Sequence, residues 1–410
     1  MKYNKWTVAL AALGVVSFAS AVNAEEKASP VMTALSSTTI SGYVDTSAEW
    51  NPGTGNANLP PYKFNVANKA DGFNLDVIQL RIDKPLDEQD WAAGYRADFW
   101  FGPDANTLGT TSTGMTGING SDFGIRQAYV ALRAPVGTGL DLKMGVFDSI
   151  IGYESIEAGN NPNYTRSYGH SIEPQTETGL LASYRFCDCF SASVGVADTF
   201  GPTINDRAFA PVNGVPYGPQ TEAESYKTYM GSIALTAPDS WGFLSGSTLY
   251  AGAVNGFNSS GFMSGFTTQP VTVTSYYLGA TVATPVTGLR VGASFDYLDI
   301  HPLNNDTYSL AGYLSYQATE KLSFHGRAEY FKDKLADTAG GTTGLLFGTK
   351  AEVLALTATV QYDLWKNVIS RLELRWDHSL LGNDIFGGET AGTPNSENAL
   401  LLAANVIYKF

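Results

Sequence analysis

The sequence predicts an all-β protein, a transmembrane antiparallel up-and-down β-barrel of about 16 strands. Three observations lead there. The chain opens with an export-type segment, its body alternates apolar and polar residues, and the connections between alternating stretches are long and short in turn.

The first element is the start of the chain. Lys2 and Lys5 supply a positive region, Trp6 to Ser20 is apolar and short, and Val22-Asn23-Ala24 offers small residues for cleavage. Residues 1–24 therefore read as a secretory signal peptide, with the mature chain starting at Glu25. A short lead-in follows over 25–37, then a single barrel domain over 38–410. The apolar run is too short for an uncleaved anchor, which needs about 20 residues, and no run that long follows Glu25. A barrel instead crosses with strands of about 10 residues that alternate in polarity. Averaged over both faces, such strands give a hydropathy near zero, as the mean of −0.08 does. The formal charge of −14 falls to −16 once Lys2 and Lys5 leave with the signal. So acidic a chain excludes nucleic acid as a partner. The 43 glycines, 22 tyrosines and 21 phenylalanines suit thin strands with aromatic membrane interfaces.

Alternation is the second element. Over 91–102, Trp91, Ala93, Tyr95, Ala97, Phe99 and Phe101 share one face, and Arg96 and Asp98 share the other. Leu322, Phe324, Ala328 and Tyr330 likewise oppose Ser323, His325, Arg327 and Glu329. Leu372, Leu374 and Trp376 oppose Arg371, Glu373, Arg375 and Asp377. The pattern predicts strands over 38–50, 72–83, 91–102, 123–134, 140–147, 175–186, 190–199 and 225–237. It predicts the rest over 242–254, 272–283, 289–297, 308–318, 322–332, 353–364, 368–377 and 398–409. Two stretches break period. In 74–83 the apolar face shifts between Val77 and Ile78, and in 123–134 Arg126 falls on the face of Val130 and Leu132. A β-bulge in each accounts for this, as does a position at the rim.

Connection length is the third element. Odd connections such as 51–71, 103–122, 148–174, 201–224 and 378–397 are long. Even ones such as 135–139, 187–189, 284–288 and 319–321 are short. Short periplasmic turns and long outer loops require this order, and an even strand count returns both chain ends to the short-turn side. The last strand ends on Phe410, with Tyr408, Val406, Ala404, Leu402 and Leu400 in its register. Lys409, Asn405 and Ala403 lie opposite, with Ile407 and Leu401 as apolar exceptions. This resembles the terminal-aromatic signal that barrel-assembly machinery reads, with Tyr408 and Phe410 as its key residues. The expected location is the outer membrane of a Gram-negative cell, with outer-membrane lipid as a partner.

Residues 145–184 read GVFDSIIGYESIEAGNNPNYTRSYGHSIEPQTETGLLASY. The motifs at Gly152–Glu154, Asn161–Tyr164, Arg166–Tyr168, Ser171–Pro174 and Gly179–Tyr184, preceded by Arg126–Val130, resemble the OmpL-like putative β-barrel porin-2 family. They cover about a sixth of the chain. The resemblance implies an outer-membrane location and a porin role, and it brings no assigned substrate.

At 16 strands the side chains no longer fill the interior, so a water-filled lumen with a polar wall is expected. Its basic set is Arg81, Arg96, Lys143, Arg185, Arg290, Arg327, Arg371 and Arg375. Its acidic set includes Asp83, Asp98, Asp141, Glu177, Asp296, Glu329, Glu373 and Asp377. The signs nearly cancel. Segment 148–174, the longest connection by these boundaries, is the candidate constriction loop. Its Glu154, Glu157, Arg166, His170 and Glu173 are placed to face the Arg-rich wall and to screen solutes by charge and size. The expected function is passive diffusion of small hydrophilic solutes and ions, with a mild cation preference from the acidic loops. The alternative is a non-conducting barrel that acts as an envelope anchor or adhesin through those loops. An outer-membrane lipase would need a Ser beside a His on the lipid face, and His325 falls on the other face. No catalytic site is expected, because His170, His301, His325 and His378 are scattered and no nucleophile-base arrangement stands out. No cofactor or metal is expected either. Cys187 and Cys189 flank Asp188. They leave open a small strained disulfide or two free turn thiols, and are too few for a metal. A homotrimer is the expected assembly.

Overall fold

A computed structural model describes residues 31–32, 37–53, 55–87, 90–110, 121–208, 226–257, 272–301, 305–338 and 341–410. The expected signal segment 1–24 lies outside the described residues. Sixteen long strands follow one another. They are β1 (Thr39–Trp50), β2 (Gly72–Lys84), β3 (Ala92–Phe101), β4 (Phe123–Ala134), β5 (Leu140–Asp148), β6 (Thr176–Cys187), β7 (Phe190–Ala197) and β8 (Thr228–Thr236). The second half comprises β9 (Thr248–Phe257), β10 (Thr272–Ala283), β11 (Leu289–His301), β12 (Asn305–Gln317), β13 (Leu322–Asp333), β14 (Ala351–Tyr362), β15 (Val368–Ser379) and β16 (Asn398–Lys409). Each pairs antiparallel with its neighbour in sequence. Strand β16 pairs back onto β1, from Leu402 opposite Trp50 to Lys409 opposite Tyr43, and closes the barrel. Gly42 and Phe410 extend the seam, each N–H donating to the other's carbonyl at 2.9 Å. A Cβ at Gly42 would meet the Gln79 carbonyl oxygen at 2.0 Å, so only glycine fits there.

The alternating sequence explains the faces. Outward residues such as Leu310 and Leu372 are 54% and 55% exposed, while the intervening Ser309 and Arg371 are buried inside. No helix among the described residues is long and apolar enough to cross a membrane. The strands do so instead, since a closed barrel leaves no backbone group facing lipid.

Both breaks in period are bulges. The register with β1 passes from Asp45 opposite Val77 to Thr46 opposite Leu75, leaving Asp76 as the extra residue of β2. Between β3 and β4 it passes from Asp98 opposite Gln127 to Phe99 opposite Ile125, leaving Arg126 as the extra residue. Each bulge turns two successive side chains inward: Asp76 with Val77, and Arg126 with Gln127.

Three expectations need correction. Strand β9 begins at Thr248 rather than 242, because Asp239–Leu244 forms a 3-10 helix in the preceding turn. With β7 ending at Ala197 and β8 starting at Thr228, connection 198–227 is longer than 149–175. The inner face is also not uniformly polar. Phe147, Leu181, Met230, Val254, Tyr277 and Leu298 point inward and form a buried cluster with Ile150, Ile151 and Ile172.

The Leu310→Arg variant places a charge at the lipid face near mid-strand. It is expected to destabilise the folded barrel by about 2–4 kcal/mol in vesicle-refolding equilibria. Unchanged stability would contradict the outward assignment.

Candidate functional site: the lumen and the segment across it

Segment 149–175 leaves β5 and returns to β6, yet its partners sit on strands all round the wall. Near its start, Tyr153 stacks on Tyr313 of β12 with ring centroids 4.0 Å apart. Glu154 accepts from Arg327 of β13 at 2.7 Å and from the Ser167 N–H at 2.8 Å. Glu157 pairs with Arg81 of β2, while Arg126 of β4 stands 3.4 Å away. The backbone then runs along the adjoining wall, across the seam from β2. Arg371 of β15 donates to the carbonyls of Ala158 at 3.0 Å and Asn161 at 2.6 Å, and Lys409 of β16 donates to Gly159 at 3.0 Å. Glu373 accepts from the N–H groups of Tyr164 and Thr165 at 2.6 and 2.9 Å. Arg375 donates to the Arg166 carbonyl at 2.6 Å.

A short helix α1 (Tyr168–Ile172) follows, capped by Ser167, whose hydroxyl accepts from the His170 N–H at 3.0 Å. Glu329 of β13 accepts from the N–H groups of Tyr168 and Gly169 at 3.0 and 2.9 Å. These are orphan donors of the first turn, which a carboxylate suits. The Tyr168 hydroxyl donates to Asp377 at 2.8 Å. Gly169 leaves room there for Asp296, whose carboxylate oxygen would stand 2.5 Å from a Cβ and would have to shift to admit one.

The sequence-predicted residues thus fall into four groups. Glu154, Glu157 and Arg166 meet Arg81, Arg327, Glu329, Arg371 and Arg375 directly or through the segment backbone. Arg96, Asp98, Lys143 and Arg290 line the wall beside or below it, and Asp98 pairs with Arg81 and Arg126 at 2.8 and 3.1 Å. Arg185 lies apart at the turn after β6, paired with Asp188 at 2.5 Å. Cys187 and Cys189 in that turn are exposed and free, their Sγ atoms 2.6 Å apart. His170 and Glu173 do not face the Arg-rich wall. His170 is buried with Nδ1 3.5 Å from Glu173. Glu173 in turn shares a side-chain hydrogen bond with Asp296.

Several residues escaped the sequence reading. Arg126 bridges Asp98, Asp148 and Glu157, with 2.6 Å to Asp148. Asp76 accepts from Lys69 at 2.7 Å, and Lys69 also reaches Asp104 at 2.6 Å. The break in period at each bulge was the signal for Asp76 and Arg126, and Arg126 also opens the family-like stretch Arg126–Val130. Tyr62, on the first long connection, lies with its ring centroid 3.8 Å from the Arg375 guanidinium carbon and gave no signal.

A family profile, described as putative beta-barrel porin-2, OmpL-like, matches residues 37–410. The chain belongs to this family. The barrel lies in the bacterial outer membrane. Among solved structures it is similar to the outer membrane channel DcaP of Acinetobacter baumannii. That match has 13% identity and a TM-score of 0.56, covering 93% of this chain and 99% of that one. The anion-selective porin from Comamonas acidovorans matches with 12% identity and a TM-score of 0.53, covering 91% and 99%. Salmonella typhi OmpF in complex with daunomycin matches with 13% identity and a TM-score of 0.56, covering 91% and 97%. At these identities the likeness is one of fold. No curated relative matches the sequence.

The segment's own ionisable groups respond to pH in opposite directions. Burial and the neighbouring Arg166 push His170 down to about 3. Arg327 holds Glu154, and Arg81 and Arg126 hold Glu157, below the usual carboxylate range despite burial. Burial and Asp296 push Glu173 up. A released segment takes up protons at His170 from pH 6.5 downward that the docked one refuses. The docking that Glu154 and Glu157 favour is lost as pH falls from 4.5 through their lowered values. Glu173 works the other way, and its contribution is lost as pH rises through its raised value. Protection of 149–175 against proteolysis in folded barrels is therefore expected to peak between an acid and an alkaline limb. Glu173→Gln should flatten the alkaline limb alone. A pH-independent profile would contradict the buried geometry of these groups.

The Arg327→Met variant leaves Glu154 buried without its cation. Segment docking is expected to weaken by about 3–5 kcal/mol, read as cutting within 149–175 in a barrel that keeps its folded mobility. Adding Glu154→Gln should restore most of the protection; if it does not, the pair is not what holds the segment.

Proposed function

We propose that the protein is a general diffusion porin, passing small hydrophilic solutes and ions down their gradients through its lumen. The observation that carries this reading is a closed sixteen-strand barrel with a charged inner wall, crossed by one segment whose carboxylates meet wall arginines. Segment 148–174 is the constriction. A polypeptide laid across the lumen narrows it, and Glu157, paired with Arg81 beside Arg126, ties it to the wall and fixes the shape of the narrowing. The Arg81 and Arg96 side chains keep 21% and 26% exposure, so the ionised wall meets solvent beside the segment. Family membership and porin neighbours support the same reading.

The proposed assembly is a homotrimer in outer-membrane lipid, delivered by barrel-assembly machinery through the terminal Tyr408 and Phe410. A solved neighbour, OmpT of Vibrio cholerae, has been described in a trimer form.

Purified folded protein in a planar bilayer is expected to open discrete, ohmic-scale conductance steps. Glu157→Gln should change step size or ion selectivity without loss of the folded barrel. A correctly folded preparation that opens no channels would overturn the porin reading.

A further inference from the structure

Strands β6 and β7 are joined by two residues, Asp188 and Cys189, with Cys187 opposite Phe190 closing the hairpin. The connection lies at the short-turn end of the barrel, which faces the periplasm. The strands set its shape. The register passes from Arg185 opposite Ser191 to Cys187 opposite Phe190, so Phe186 is an extra residue of β6. A bulge there bends the strand and releases its last residue from strict alternation. Phe186 stacks on Phe190 with ring centroids 5.0 Å apart, which holds the two strand ends together. Cys187 and Cys189 are both exposed, and their Sγ atoms stand 2.6 Å apart.

The turn is held from both sides. The Cys189 carbonyl accepts from the Thr236 N–H of β8 at 2.9 Å, and the Thr138 hydroxyl of the neighbouring short turn donates to the Arg185 carbonyl. Arg185 donates from Nε to the Cys187 carbonyl at 3.2 Å and pairs through Nη2 with Asp188 at 2.5 Å. These contacts fix the backbone that carries the thiols, so little freedom remains to be lost when one sulfur meets the other. The guanidinium also offsets the Asp188 carboxylate, whose charge would otherwise oppose a thiolate at either neighbour. A purely structural role fails on energy. A disulfide stabilises by closing a long loop of the unfolded chain, and this one would span a single residue of a hairpin that the backbone already closes. A ring across one residue is small and strained, and strained, exposed disulfides are the ones that thiols reopen readily. Two sulfurs are also too few to close a metal site.

We propose that Cys187 and Cys189 form a dithiol–disulfide exchange site on the periplasmic rim of the barrel, with the disulfide of a small thiol or of a protein as its substrate. The thiolate of one cysteine attacks a substrate sulfur and forms a mixed disulfide. The other substrate sulfur leaves as a thiolate and takes up the proton that the cysteine gave up. The second cysteine then attacks the sulfur of the first, which forms the Cys187–Cys189 bond and releases the remaining substrate thiol. In total the two cysteines lose two electrons and two protons, and the substrate disulfide gains both and becomes two thiols. Excess thiol runs the same steps backwards. An oxidising compartment supplies such disulfides. The inference rests on the orientation of the barrel and not on conduction through it.

The test treats the folded full-length barrel with oxidised and reduced glutathione and reads its intact mass after acid quenching and alkylation. Excess glutathione disulfide is expected to remove two hydrogens from the unsubstituted protein and to leave little adduct, and excess reduced glutathione should restore both thiols. Cys187→Ser and Cys189→Ser cannot close the ring. Each should therefore hold a glutathionyl adduct at about tenfold or more above the level in the unsubstituted protein. Thiols that stay open to alkylation in excess glutathione disulfide overturn the proposal, and so does a disulfide that excess reduced glutathione fails to open. The same two variants, quenched with acid in growing cells, distinguish the two sources of substrate. A small-thiol adduct assigns a free thiol, a cross-linked polypeptide assigns a protein partner, and either supports the site. Variants that carry only the free thiol in cells overturn it.

Discussion

Hydrocarbon offers a peptide group nothing to bond with, so every N–H and C=O within the membrane must find its partner in the sheet. That demand governs the molecule. It excludes an open edge, makes the last strand return to the first, and confines irregular backbone to the loops and the lumen. The seam between Gly42 and Phe410 is where this is met. Mutual backbone bonds continue the ladder past β16, and the absent side chain at Gly42 lets the neighbouring strand approach.

Closure then creates the second problem, an interior too wide for wall side chains to fill. Water solves it in the periplasmic half, where charged side chains keep partial exposure. In the outer half the chain solves it by folding its own connections inward. Burying so much polar backbone in segment 149–175 would be costly if those groups were left unpaired. Here the wall supplies the partners: arginines for carbonyls, carboxylates for N–H groups. Buried ion pairs such as Glu154 with Arg327 add little net stability over an apolar pair, but they fix one arrangement and penalise others.

The strands were legible because each face meets a uniform environment over many residues. Outward positions meet lipid from Trp91 to Tyr408, and the period of two survives. It failed where the inner face meets something other than water. Ile407 and Leu401 read as exceptions in the last strand, yet Leu401 packs in the interior cluster and Ile407 lies beside the segment. The bulges at Asp76 and Arg126 were visible as broken period but not as sites. Their meaning depends on Lys69 and Glu157, which lie on other elements. Segment 148–174 could be picked out by its motifs and its partner wall by alternation, whereas the individual pairings could not. Tyr168 and Asp377 stand 209 positions apart, and no local pattern couples them.

The two bulges show how the wall and the segment depend on each other. A regular β4 would alternate Gln127 with its neighbours and turn Arg126 to lipid, where an arginine is most costly. One extra residue turns it inward to Asp98, Asp148 and Glu157. The local irregularity therefore removes a charge from hydrocarbon and delivers it to a carboxylate of the segment that would otherwise be buried with Arg81 alone. Asp76 does the same for Lys69 of the first connection. In both places a break in the ladder is tolerated because the side chain it redirects anchors chain folded into the lumen. The shape of the passage is thus written partly in the strands and not only in the loop that crosses it.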